Sequence, residues 1–138
     1  MAKKILFLCK NNSCRSQMAE GIAKSLLGSD FEIYSAGIEP TFVNPYAIKV
    51  MAEINIDISE NKSKHLDSLK DVFFEDIITV CDIYSDSCPI FHNGKNILHW
   101  NFSDPANAKG TKEEKFKIFR QIRDEIKSKI QEHYKGGL

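Results

Sequence analysis

Apolar positions along this chain follow two rhythms. Short unbroken runs, Lys4-Ile5-Leu6-Phe7-Leu8 and Asp76-Ile77-Ile78-Thr79-Val80, suit strands buried on both faces. Phe31-Glu32-Ile33-Tyr34-Ser35 and Asn96-Ile97-Leu98-His99-Trp100 add two more, rich in branched and aromatic residues. Between these runs the spacing turns helical. Over residues 15–27, Met18, Ala19, Ile22, Ala23, Leu26 and Leu27 share one face, and Gly28 follows as a stop. Asn44 as cap and Pro45 at the first helical position open a second helix with Ala47, Ile48, Met51 and Ile54 on its buried face. A third starts near Thr111, carries Glu113 and Glu114 in its first turn, and shows the stripe Phe116, Phe119, Ile122, Ile126, Ile130. Its charges read as a solvated face, with Glu113–Lys117 and Glu125–Lys129 as helical pairs.

Strands alternating with helices predict one α/β domain over residues 1–138, a four-stranded parallel sheet with helices on both faces and right-handed crossovers. Such sheets bind ligands beyond the carboxyl ends of their strands. The first strand leads into Cys9, and the third ends directly at Cys81. The polar stretch 57–64 offers Ser59 or Ser63 to cap a short turn near Leu66 and Leu69. Residues 82–96 form a long irregular segment with the turn signals Cys88-Pro89 and Asn93-Gly94, of a length more often functional or mobile than inert.

Charge changes this picture little. Lys+Arg and Asp+Glu number 19 each, so no net field points to nucleic acid or a membrane surface as partner. The apolar run after Met1-Ala2-Lys3-Lys4 is too short for a signal peptide, and no stretch approaches a membrane span. The expected compartment is the cytoplasm, where thiols stay reduced. There Cys9, Cys14, Cys81 and Cys88 point to catalysis, redox chemistry or metal rather than a disulfide framework.

The most informative stretch is Cys9-Lys10-Asn11-Asn12-Ser13-Cys14-Arg15, with Ser16 behind it. It sits between a strand's carboxyl end and a helix's amino end, where unpaired N–H groups and the helix dipole favour an oxyanion. Arg15 adds a bidentate fork, and the same positive field favours the thiolate of Cys9, its reactive form. Asn11 and Asn12 tolerate the left-handed backbone of an anion nest in a loop without glycine. Taken singly, Cys9 is an ordinary buried strand-end residue and Arg15 an ordinary surface one; their placement is what singles out the loop.

This loop, with Ser16-Gln17-Met18-Ala19-Glu20-Gly21 and Ser35-Ala36-Gly37, resembles the low-molecular-weight tyrosine phosphatase superfamily, specifically its thioredoxin-coupled arsenate reductases. The resemblance implies strand order 2-1-3-4, with strands 1 and 3 neighbours about 5 Å apart. It also implies that Arg15 and the loop amides of Lys10, Asn11, Asn12, Ser13 and Cys14 hold arsenate while Cys9 attacks arsenic, and that Asp104 is the acid for the departing oxygen. Ser16 would donate to the Cys9 thiolate. Arsenate reduction needs two electrons, which two thiols supply by ending as a disulfide. By the resemblance Cys81 attacks Cys9, Cys88 then attacks Cys81, and thioredoxin reduces the resulting disulfide.

The sequence departs from this family in two places. Lys10 and Asn11 stand where relatives often carry threonine and glycine. Some relatives hold potassium beside the loop; Asn12, Glu20 and Ser35 match its ligands, but Lys64 takes the place of an aspartate, so no required metal or other cofactor is expected.

Other readings remain at this stage. A phosphatase on the same loop needs Cys9 alone, but Ala106 follows Asp104-Pro105 where tyrosine phosphatases tend to place an aromatic wall. A non-enzymatic oxyanion binder or redox sensor would use Cys81 and Cys88 as a regulatory disulfide. Cys81 and Cys88 with His92 or His99 form half a zinc motif without its partner half. Asp104 before Pro105 is equally a turn residue, Cys14 reads as structural, Trp100 as packing under the loop, and His65, His92, His99 and His133 as surface or loop positions.

Overall fold

The computed structural model describes residues 2–82 and 90–137. Cys88, the expected third thiol, lies outside the described residues. In chain order the elements are β1 (Lys3–Leu8), α1 (Arg15–Leu26), β2 (Phe31–Ala36), α2 (Pro45–Ala52), β3 (Phe74–Thr79), β4 (Gly94–His99) and α3 (Lys112–His133). Short 3-10 turns cover Leu66–Leu69, Pro105–Asn107 and Lys135–Gly137. All strand pairs are parallel in the order β2-β1-β3-β4, as expected.

Burial on both faces explains the unbroken apolar runs of the two central strands. Ile5, Phe7, Ile78 and Val80 face one layer, and Leu6, Leu8 and Ile77 face the other. The first layer is the larger: α1, α2 and α3 all bring apolar side chains to it, including Met18, Ile22, Met51, Phe119 and Ile126. The second is covered by the 3-10 turn through Leu66 and Leu69, with Phe74 and the partly buried Val72 and Phe91. Helical structure therefore lies on both faces, with all three α-helices on one of them.

Helix ends follow local chemistry. Asn44 accepts from the Tyr46 amide and Pro45 occupies the first turn of α2. Thr111 and Glu114 form a reciprocal capping box at α3. α1 is different: Cys14 at its N-cap makes no side-chain capping bond, and its first turn holds no acidic residue. That terminus is left for something else.

Three expectations need correction. The turn at Leu66 is capped by His65, whose Nδ1 accepts from Asp67, because Ser63 is spent on Asn12 instead. β3 ends at Thr79, two residues short of Cys81, though the Val80 amide still donates to Leu8 O. On α3, Lys129 sits over the Trp100 ring rather than pairing with Glu125, and the strongest charge contacts run from Arg120 and Arg123 to Glu53 of the turn after α2. Val50 joins Ala47 and Met51 in the buried face of α2, with Ile48 and Ile54 only partly buried. Among the described residues no helix is long and apolar enough to cross a membrane.

Candidate active site

At the carboxyl edge of the sheet, where β1 and β3 part, a cavity of about 210 Å³ opens over the loop between β1 and α1. It is lined by Cys9, Asn11, Ser13, Cys14 and Arg15 of this loop, by Thr41, Phe42 and Asn44 ahead of α2, and by Asp104 and Ala106. The start of α1, which has no side-chain cap bond, borders this space, and a helix amino terminus with its dipole favours an anion there.

Arg15 is buried and crosses the cavity floor. Its Nη1 donates to Phe102 O at 3.1 Å, and its Nη2 stands 3.4 Å from Asp104 Oδ2. The other Asp104 oxygen accepts from the Ala106 amide at 3.0 Å. Asp104 is thus both the turn residue and the carboxyl facing the site; the two readings of its sequence position are compatible.

The loop is held from beneath by Asn12, whose φ of 50° is the left-handed conformation expected of an asparagine here. Its side chain is fully buried and turned away from the cavity. Asn12 Oδ1 accepts from the Lys64 amide and from Gln17, while its carbonyl accepts from Ser63 and Gln17. A chain of donors then runs to the thiol. Ser35 gives its proton to Glu20 Oε1 at 2.6 Å, so its oxygen accepts from Asn12 Nδ2 at 3.0 Å. The second Nδ2 proton goes to Ser16 Oγ at 2.8 Å, and Ser16 Oγ stands 2.9 Å from Cys9 Sγ, to which it donates whenever the sulfur is a thiolate.

Glu20 is itself neutralised by lysine. Lys24 lies 3.0 Å from Oε2 and Lys64 3.8 Å from Oε1, with Asn61 also donating at 3.5 Å. A potassium ion does not fit beside a buried carboxylate that already faces two ammonium groups. Among the described residues no cluster of three or more His, Cys, Asp or Glu side chains could hold a metal ion.

Gly37 completes the support. A Cβ there would stand 2.6 Å from Lys10 O, 2.8 Å from Cys9 O and 2.9 Å from Asn12 N, so only glycine lets the loop backbone approach β2. Ile38 and Glu39 amides both donate to Lys10 O, and the Asn44 amide donates to Ser13 O.

Not every expected oxyanion residue faces the cavity. Lys10 turns outward, its ammonium 3.6 Å from Glu39, so its charge is partly satisfied at the rim. Asn12 contributes shape through its side chain rather than contact. Cys14 lines the cavity, but burial pushes its thiol up to about 12, which keeps it protonated and inert at neutral pH. Cys81 is fully buried two residues beyond the end of β3, its sulfur 3.9 Å from Leu8 O on neighbouring β1. Trp100 packs on Phe7 of β1 at 6.1 Å between centroids. Sequence reading missed the roles of Gly37, Ser63, Gln17 and the wall residues Thr41, Phe42 and Asn44. Only Asn44 and Ser63 carried a local signal, and in both that signal was for capping.

A C-x5-R loop at the amino end of a helix, closed by an aspartate from across the sheet, defines a class of anion-handling thiol proteins. The chain belongs to the low molecular weight phosphotyrosine protein phosphatase family, whose model matches residues 4–135. Its curated relatives include arsenate reductases. The Halalkalibacterium halodurans arsenate reductase is 48% identical over 138 residues, 99% of either chain. That of Bacillus subtilis is 46% identical over 137 residues, 98% of this chain and 97% of its own. A thioredoxin-dependent arsenate reductase from Corynebacterium glutamicum superposes with a TM-score of 0.73 at 26% identity, over 98% of this chain and 61% of that one.

Proposed function

We propose that this protein reduces arsenate to arsenite by a three-thiol relay through Cys9, Cys81 and Cys88, recycled by thioredoxin in the cytoplasm. The observation that supports the reading is the pairing of β1 with β3, which sets side by side the strands that lead to Cys9, a lining residue of the anion cavity, and to Cys81, which is buried. A simple ester hydrolase has no use for the second thiol.

Arsenate binds against Arg15 and the amides of residues 10–15. The Cys9 thiolate forms a sulfur–arsenic bond while Asp104, in its acid form, protonates the departing oxygen, which leaves as water. The Cys81 thiolate attacks Cys9 Sγ; the sulfur–sulfur bond forms, the sulfur–arsenic pair passes to arsenic, and arsenite leaves. Cys88 attacks Cys81 and frees the Cys9 thiolate. The dithiol of thioredoxin reduces the Cys81–Cys88 disulfide, returning the two electrons. Support for the partner comes from the thioredoxin-dependent relative; support for the substrate comes from the curated relatives.

The test is arsenate-dependent NADPH oxidation coupled through thioredoxin and thioredoxin reductase. Wild type turns over repeatedly, and Cys9→Ser, Cys81→Ser and Cys88→Ser each abolish multiple turnover. Turnover that survives Cys81→Ser would rule out the relay.

A further inference from the structure

Asn44 lines the anion cavity and caps α2 at the same time. Capping settles which way its side-chain amide is turned. Oδ1 accepts from the Tyr46 amide at 2.8 Å, so Oδ1 faces α2, and Nδ2, on the other arm of the planar group, is directed away from that bond. Neither Nδ2 proton meets an acceptor among the described residues. The cap is also fastened to the anion loop, because the Asn44 backbone amide donates to Ser13 O at 3.1 Å. Asn11, the other side-chain amide in the lining, already commits its Nδ2 to Glu39 O at 2.8 Å. Asn44 therefore brings a neutral, oriented donor to the border of the cavity.

From this we infer that Asn44 Nδ2 donates to the bound oxyanion, and that Asn44 is a specificity-determining residue favouring free tetrahedral oxyanions over their substituted forms. The inference rests on the reading that the loop from Cys9 to Arg15 holds an oxyanion, but not on the redox steps. An anion seated on the loop amides and Arg15 presents to the remaining lining residues whichever oxygen the loop does not hold. Phe42 and Ala106 offer that oxygen no polar side-chain atom, and Asp104 Oδ2 stands 3.4 Å from Arg15. Thr41 and Asn44 are left as donors, and of these Asn44 has its orientation fixed by a bond. Where carbon takes the place of the oxygen, or is attached to it, the amide loses a good acceptor and is covered without a partner.

Capping alone does not call for asparagine, since serine and aspartate cap as well. Aspartate would add a second carboxylate to a cavity that already holds Asp104. Serine, once its oxygen has capped the helix, is left with a single hydroxyl proton on a shorter side chain. Asparagine is the cap that stays neutral and still reaches outward with N–H donors.

The experiment is calorimetric titration of reduced wild type, Asn44→Ser and Asn44→Asp with orthophosphate and with methylphosphonate, in which a methyl group replaces one oxygen, together with the thermal midpoint of each protein. Loss of a hydrogen bond to a charged ligand weakens orthophosphate about tenfold in Asn44→Ser, and further in Asn44→Asp. Methylphosphonate, which already lacks the oxygen, changes by less than about threefold in Asn44→Ser. The midpoints stay together because all three residues cap. Equal losses for the two ligands, or wild-type affinity for orthophosphate in Asn44→Ser, overturn the assignment. So does a binding loss that comes only with a lowered midpoint, because capping then accounts for it. Arsenate turnover with thioredoxin in the same wild-type preparation keeps the two readings apart. Its absence removes the reductase and leaves the Asn44 result standing, whereas a wild type that binds no orthophosphate overturns the anion site and the role of Asn44 together.

Discussion

The Ser16 hydroxyl stands 2.9 Å from the Cys9 sulfur, and its oxygen accepts from Asn12 Nδ2 at 2.8 Å, which leaves its proton available to a Cys9 thiolate. Ser16→Ala removes the hydroxyl in contact with the Cys9 sulfur. Alkylation of Cys9 by iodoacetamide at neutral pH is expected to slow about tenfold, and arsenate turnover to fall with it. Peptide mapping of the alkylated protein reads this directly. Unchanged alkylation of Cys9 would show that Ser16 has no hold on the thiolate.

The same mapping separates Cys14 from Cys9. Burial raises the Cys14 thiol to about 12, so at neutral pH it remains protonated and unlabelled in the folded protein although it lines the cavity. Labelling of Cys14 at a rate comparable to Cys9 would contradict its assignment as an inert group.

Gly37→Ala places a methyl group where three loop backbone atoms stand within 3 Å. The loop must shift, at a cost of the size usual for overpacking, about 1 to 3 kcal/mol. Orthophosphate binding is expected to weaken by roughly tenfold or more. Isothermal titration with orthophosphate measures this; wild-type affinity in the variant would mean that the loop does not need its present approach to β2.

Glu20, between Lys24 and Lys64, predicts indifference to potassium. At constant ionic strength, exchanging sodium for potassium leaves both the thermal midpoint and arsenate turnover where they were. A rise specific to potassium would show that an ion still enters beside Glu20 and that Lys64 moves aside for it.

Tyr134 gives its proton to buried Asp76 at 2.5 Å, and Asn96 donates to the other carboxylate oxygen. Burial first, and the bond to Asp76 second, push the Tyr134 phenol above its ordinary value of about 10. Because the folded state holds this proton more tightly, the stability is fully present below pH 10 and declines as pH rises beyond it. Tyr134→Phe leaves Asp76 short of a partner and costs about 1 to 3 kcal/mol at pH 7. Urea denaturation at pH 7 and above pH 10 tests both points: the gap between wild type and variant narrows at the higher pH, and a constant gap would disconnect the phenol from the alkaline loss.

The order of elements, the parallel sheet and the anion loop were legible because each has a local cause. An apolar run, a helical stripe or a cap is written in consecutive residues. What lay beneath the loop was not legible. Asn12 is bonded to Ser63 and Lys64, about fifty positions away, and neither belongs to any pattern of periodicity or composition. Ser63 was read as a cap because capping is what an isolated serine most often does near a turn. Phe42 carried no signal either, since a single apolar residue in a loop gives no hint of what its ring will border. Asn12 itself was read correctly for its backbone and incompletely for its side chain, which shapes the cavity from behind.

The anion loop and the second thiol reach the site on separate strands. Everything described as holding the loop in shape comes from α1, β2, residues 37–44 and residues 61–64, while Cys81 follows β3. The cradle and Cys81 are therefore structurally separable: a substitution at Cys81 touches none of the hydrogen bonds described as shaping the loop around Cys9.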